Sequence, residues 1–266
     1  MMKSEIFKLK DTHYLQIEDW ERDGIIAGFS TRDGGFSESP YTSLNLGIHV
    51  NDKHDAVVQN RQKFNNTFHK SFAQWKCLNQ VHSNLVIDFS DDETPLRHDQ
   101  PAIDADGMIT NRKDHFLAMF YADCVPLFFR VKNTSLIGLA HAGWQGTVQG
   151  IGTVMADKLL SHGVSLEDVE VIIGPCISST NYEVDEKVVQ QIPAKFHNQV
   201  LEATSPGHFL LDLRKLNQLI LTEYGFDKDQ IRTTSYCTFD QQELFFSHRR
   251  DQGHTGRMMA FMFIDN

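Results

Sequence analysis

No uninterrupted apolar run in the 266 residues exceeds seven; the two that reach it, 116–122 and 258–264, fall far short of a bilayer span, which needs roughly 18. The first residues alternate charge with apolar side chains and lack the continuous apolar core of a secretory signal. Cysteine is scarce: Cys77, Cys124, Cys176 and Cys237 are scattered, without a CxxC pair and too few for a disulfide scaffold. These absences predict a reduced, cytoplasmic protein with no membrane contact. Positive charge is also in deficit, with 25 Lys and Arg against 35 Asp and Glu and a net charge of −10. A nucleic-acid backbone would meet general repulsion, so no nucleic-acid partner is expected. No repeat of solenoid period and no Pro/Gly/Ser-rich linker is present; the nearest approach is an acidic loop at 90–104. A single domain over 1–266 follows, with 1–24 as a peripheral segment.

What is present is ample core material, 41% hydrophobic with 19 Phe. Short apolar runs at 25–29, 85–89, 116–122, 127–131, 136–140, 169–173 and 258–264 have strand length. Helical spacing links Val148, Ile151, Met155 and Leu159 after Gly143-Trp144, with Gly163 as a stop. A second helix runs from Asp212, an N-cap, through Leu213, Leu216 and Ile220 to Gly225. A third, at about 52–68, puts Arg61 on one stripe with Val57, Phe64 and Phe68. The expected fold is mixed α/β (α+β), a single layered domain with a large mixed sheet system and flanking helices.

Three apolar strands end in a reactive side chain followed by a loop: Cys77-Leu-Asn-Gln-Val-His82, Phe120-Tyr-Ala-Asp-Cys124 and Leu136-Ile-Gly-Leu-Ala-His141. Gaps of 42 and 17 from His82 to Cys124 to His141 are wrong for a zinc finger and suit a site assembled by tertiary folding. Two imidazoles and a thiolate leave a tetrahedral zinc one open position, the catalytic arrangement. The same atoms also suit a Cys124 nucleophile with His82 or His141 as base, and an inert buried cysteine is the plain structural alternative.

Arg61 must either bury its guanidinium against protein acceptors or point it into an anion-receiving cleft. Gly34-Gly35 suits an oxyanion nest or an ordinary turn. Asp104-Ala-Asp106-Gly107 reads as paired carboxylates or, more simply, as a turn. Cys176, Cys237, the basic stretch from Phe246 to Asp251, and Thr255-Gly-Arg257 stay open as further candidates.

Seven motifs, in order, resemble one family: Gly28-Phe-Ser-Thr-Arg-Asp-Gly-Gly35, Ser43-Leu-Asn-Leu-Gly47, Asn79-Gln-Val-His82, Ala122-Asp-Cys-Val-Pro126, Ala140-His-Ala-Gly-Trp144, Ile173-Gly-Pro-Cys-Ile177 and Thr255-Gly-Arg257. It is the laccase-domain, or YfiH-type, family, once labelled polyphenol oxidase and now described as zinc-dependent purine nucleoside phosphorylases. The resemblance implies zinc on His82, Cys124 and His141, phosphorolysis of adenosine, inosine and methylthioadenosine with inorganic phosphate, and adenosine deamination. Deamination has a direct account in a metal-activated water attacking the purine C6, although the H-x-E and P-C-x-x-C signature of other zinc deaminases is absent. Phosphorolysis also needs a cation to hold phosphate beside the ribose C1, for which Arg61 is the candidate, with Asn45 and Gln80 as polar orienters.

The oxidase label fits poorly, since no H-x-H offers a second copper cluster; adventitious copper on the same ligands would explain weak phenol oxidation. A cysteine- or zinc-dependent amide hydrolase in peptidoglycan editing is the alternative function that the resemblance brings with it.

Overall fold

The computed structural model describes residues 5–91 and 103–265. Among them the strands are β1 (Phe7–Asp11), β2 (Tyr14–Ile17), β3 (Ile25–Ser30), β4 (Trp75–Lys76), β5 (Val86–Asp88), β6 (Gly107–Thr110), β7 (Phe116–Tyr121), β8 (Val125–Val131), β9 (Ile137–Ala142), β10 (Val169–Ile173), β11 (Glu183–Asp185), β12 (Leu201–Ser205), β13 (His208–Leu211), β14 (Ile231–Thr233) and β15 (Met258–Ile264). The helices are α1 (Glu18–Glu21), α2 (His54–Thr67), α3 (Trp144–Val148), α4 (Ile151–Leu160), α5 (Glu186–Val189), α6 (His197–Val200) and α7 (Leu213–Tyr224). All seven apolar runs lie on strands, and the mixed α/β class holds.

One six-stranded sheet runs β1-β2-β3-β15-β7-β4 and a second runs β14-β10-β8-β9-β6-β5, each mostly antiparallel, with parallel pairing at one edge of the first and at both edges of the second. A small antiparallel sheet, β11-β13-β12, stands apart. Apolar runs are continuous because both faces of the large sheets are covered. Along β15, Met258, Ala260, Met262 and Ile264 join the core between the two sheets, whereas Met259, Phe261 and Phe263 face the α2 side. Phe64 and Phe68 dock α2 there, with ring centroids 5.2 and 4.9 Å from Phe261. On the outer face of the second sheet, Leu127 and Phe129 of β8 pack with Met155 and Leu159 of α4, Leu216 of α7 and Val184 of β11. The layer order is therefore α2, first sheet, second sheet, then α4, α7 and the small sheet.

Three local expectations need revision. Residues 5–24, expected at the periphery, form the edge of the first sheet, yet fully bury Phe7, Leu15, Ile17 and Trp20. The helix after Trp144 is two helices, because Gly150 adopts φ +79° and breaks the stripe between Val148 and Ile151. Gly107 opens β6 instead of completing a turn, since a Cβ there would lie 2.8 Å from Val86 and 2.9 Å from Met155. The α7 signals hold: Asp212 accepts a hydrogen bond from the Lys215 amide at 2.9 Å, and Gly225 ends the helix at φ +129°. Most of the acidic loop at 90–104 lies outside the described residues.

Candidate metal centre

Cys124 sits where the chain passes from β7 of the first sheet to β8 of the second, and His141 lies on β9 opposite Pro126. His82 arrives on the loop after β4, held at φ +62°, a conformation that side chains other than glycine rarely adopt. Their ligand atoms all lie within 4.8 Å of one another. Cys124 Sγ is 4.0 Å from His82 Nε2, and the two imidazoles meet edge to face at 4.8 Å. Gly143 keeps this space open, because a Cβ would stand 2.8 Å from His82 and 3.1 Å from Cys124. Two imidazoles and a thiolate converging at this spacing fit a borderline metal ion such as zinc or copper.

Behind the ligands stands Asp106, fully buried. One carboxylate oxygen is 2.8 Å from His141 Nδ1, which leaves Nε2 for the site. The other accepts hydrogen bonds from the Ser83 amide at 2.6 Å, the Ser83 hydroxyl at 2.8 Å and the Val81 amide at 3.2 Å. One carboxylate thus orients one ligand and ties down the loop carrying another, the role of a metal site's outer partners. Burial alone would push the Cys124 thiol up; His141, and then His82, overcome it and favour the thiolate. Cys124 and then Asp106 in turn push the His141 pKa up against burial, favouring a proton whose place a metal ion on Nε2 would take.

The ligands open into a cavity of about 670 Å³. Arg61 lines it. It is fully buried, donates from Nε to the Leu46 carbonyl at 2.8 Å and lies 4.4 Å over the Phe120 ring. Gln80 also lines it, but its amide is engaged at both ends, accepting from the Phe120 amide at 2.8 Å and donating to the Phe120 carbonyl at 2.9 Å. Asn45 is fully buried and absent from the lining. Its amide bonds Asp52 and the Gly47 and Arg257 backbones, so it shapes the loop behind the cavity.

Other residues at the site are left open by the sequence reading or missed by it. Arg257 enters beside Arg61, its guanidinium bonded to the Thr255 and Gly256 carbonyls, and the signal was the Thr-Gly-Arg motif. His49 faces both arginines; burial, then Arg257 and Arg61, push it down to about 4 and keep it neutral. Asp106 was visible as half of an Asp-Ala-Asp pair, whereas Tyr182 had no signal. Of the two readings of Gly34-Gly35 the ordinary turn holds, with the Gly35 and Phe36 amides donating to Ser43 and Asn60. Cys176 and Cys237 lie away from the ligands, side by side in an isolated bridge, with Arg214 on the Cys176 sulfur. The basic stretch divides: Arg250 pairs with Asp251, while His248 and Arg249 reach the cavity.

The chain is thus a mixed α/β protein with a His-Cys-His set where its two large sheets meet. Residues 26–265 match the family described as multi-copper polyphenol oxidoreductase laccase, and the chain belongs to it. The protein named purine nucleoside phosphorylase YlmD from Bacillus subtilis (strain 168) is 41% identical over 267 residues, covering 96% of each chain. Its namesake from Geobacillus stearothermophilus is 38% identical over 90% of each. The solved structure of the Geobacillus stearothermophilus YlmD aligns with a TM-score of 0.93 at 34% identity, covering 98% of this chain and 100% of that one. The Bacillus licheniformis hypothetical protein YfiH aligns at 0.92 with 37% identity, covering 97% and 99%. Among the described residues no helix is long and apolar enough to cross a membrane.

Proposed function

We propose that the protein is a zinc-dependent purine nucleoside phosphorylase, cleaving adenosine, inosine and methylthioadenosine with inorganic phosphate and deaminating adenosine as a second activity. The observation that carries this reading is one cavity holding both the His82, Cys124, His141 set and the cations Arg61 and Arg257. The names of the relatives support it. Four unpaired cysteines suit a cytoplasmic setting.

Phosphorolysis requires a phosphate oxygen to approach the ribose C1 while the bond to the base opens toward an oxocarbenium ion. Arg61 presents a planar fork suited to two phosphate oxygens, and Phe120 beneath the guanidinium limits its swing. Arg257 adds a second cation, and neutral His49 offers a hydrogen bond without adding charge. His82, Cys124 and His141 would hold the zinc, which when bound supplies Lewis acidity. Apolar lining from Ile177 and Leu213 excludes water from the purine.

The test is metal analysis of pure protein combined with release of free base and ribose 1-phosphate from adenosine, with and without phosphate. Phosphate-dependent release with one zinc per chain is expected. Activity that survives chelation and is lost to thiol alkylation would favour the amide hydrolase instead. Phenol oxidation with copper excluded should be negligible, since the described residues offer one His/Cys ligand group and zinc has no redox chemistry.

A further inference from the structure

The departing purine takes the electron pair of its glycosidic bond, and the cations Arg61 and Arg257 belong to the phosphate. The layer order puts different chemistry across the ligand set. Arg61 comes from α2, outside the first sheet; Tyr182 and Leu213 come from beyond the second.

Tyr182 lines the cavity at the start of β11. Its backbone is fixed, the carbonyl accepting from the Leu211 amide at 3.0 Å. Its ring lies 5.2 Å from the Arg249 guanidinium. Arg249 is itself anchored, donating from its side chain to the Glu183 carbonyl at 2.7 Å and from its amide to Asp123, the neighbour of Cys124, at 2.9 Å. The ring is thus located relative to the ligand set, while its hydroxyl makes no hydrogen bond to another described residue.

We propose that the Tyr182 hydroxyl donates a hydrogen bond to a ring nitrogen of the purine and stabilises the base as it leaves, an assignment that rests on the phosphorylase reading above. A phosphate oxygen bonds the ribose C1, the bond from C1 to N9 breaks, and its electron pair departs with the purine. The proton of hydrogen phosphate ends, through solvent, on the released base. Tyr182 keeps its own proton throughout. Burial, and then the charge of Cys124, push its ionisation well above the ordinary phenol range, so it is a donor at every working pH.

The experiment compares wild type with Tyr182→Phe, which retains the ring over Arg249, on inosine and on 7-methylguanosine. The second substrate carries a positive charge on its base and leaves without help. With inosine, kcat should fall about 10- to 100-fold with KM within about threefold, the size expected for a hydrogen bond to developing charge. With 7-methylguanosine the two proteins should agree within about threefold. Zinc content and melting temperature should be unchanged, and Tyr182→Leu, lacking both hydroxyl and ring, should show the same substrate dependence with an added rise in KM. Undiminished turnover of inosine by Tyr182→Phe, or equal losses on both substrates, would overturn the assignment while leaving phosphorolysis standing. If wild type releases no ribose 1-phosphate from either nucleoside, the phosphorylase reading fails and this assignment with it.

Discussion

The ligand side and the cationic side of the cavity are built on different principles. His141, Ser83 and Val81 bond to the buried Asp106 carboxylate, which joins β9 to the loop carrying His82. On the cationic side the Arg257 guanidinium donates to the Thr255 and Gly256 carbonyls, and Arg61 donates from Nε to the Leu46 carbonyl. Removing one member of a buried charged network strands the others, so the ligand side should fail as a unit. The two arginines come from separate segments, α2 and the Thr255-Gly-Arg257 loop, so the cationic side should fail by degrees.

The sharpest way to break this contrast is Cys124→Ala. It removes the only anionic donor of the set and should abolish stoichiometric zinc and lower phosphorolysis by about 1,000-fold or more, read by metal analysis and base release. Full zinc occupancy in the variant would sink the ligand assignment. Asp106→Asn comes next: an amide cannot accept from His141 and from all three donors at Val81 and Ser83. Zinc affinity should drop about 10- to 100-fold in chelator competition. A variant that binds zinc as tightly as wild type would mean that the ligand loop holds itself.

Arg61→Lys probes the other side, keeping the charge and losing the fork. Phosphorolysis should fall about tenfold with a raised phosphate KM, while zinc content and deamination change much less. A parallel loss of melting temperature and both activities would make Arg61 structural and erase the contrast. The smallest effect concerns His49, whose folded-state pKa of about 4 lies below the ordinary 6.5. As pH falls from 6.5 toward 4 the unfolded chain takes up a proton that the folded protein resists, so stability contributed by the neutral form is lost over that window. His49→Gln should flatten the stability curve there; an unchanged slope would show that the imidazole titrates freely.

Cys124 and His141 were legible because each follows an apolar run, and runs buried on both faces can be seen without knowing how strands pair; His82, expected at a strand end, sits instead on a loop six residues past β4. Arg61 was legible as a charge on an apolar stripe. Asn45 and Gln80 look identical in sequence to substrate-binding amides, and only tertiary contacts reveal that their hydrogen bonds end on Asp52, Arg257 and Phe120. The small sheet escaped because most of β12 is exposed and carries no apolar run. Tyr182 escaped with it, a lone tyrosine 41 positions beyond His141 whose role depends on where that sheet packs.

The position of β15 bears on biosynthesis. It separates β3 from β7, with Ile264 paired to Ile25 and Phe263 to Phe116. A ribosome makes β3 and β7 long before β15, so the first sheet stays divided, its β3 and β7 edges unpaired, until Met258–Ile264 emerges. The three ligand residues are all synthesised before Arg257 exists. A nascent chain can therefore carry a complete metal-ligand set on an unfinished sheet, whose closure joins segments far apart in sequence.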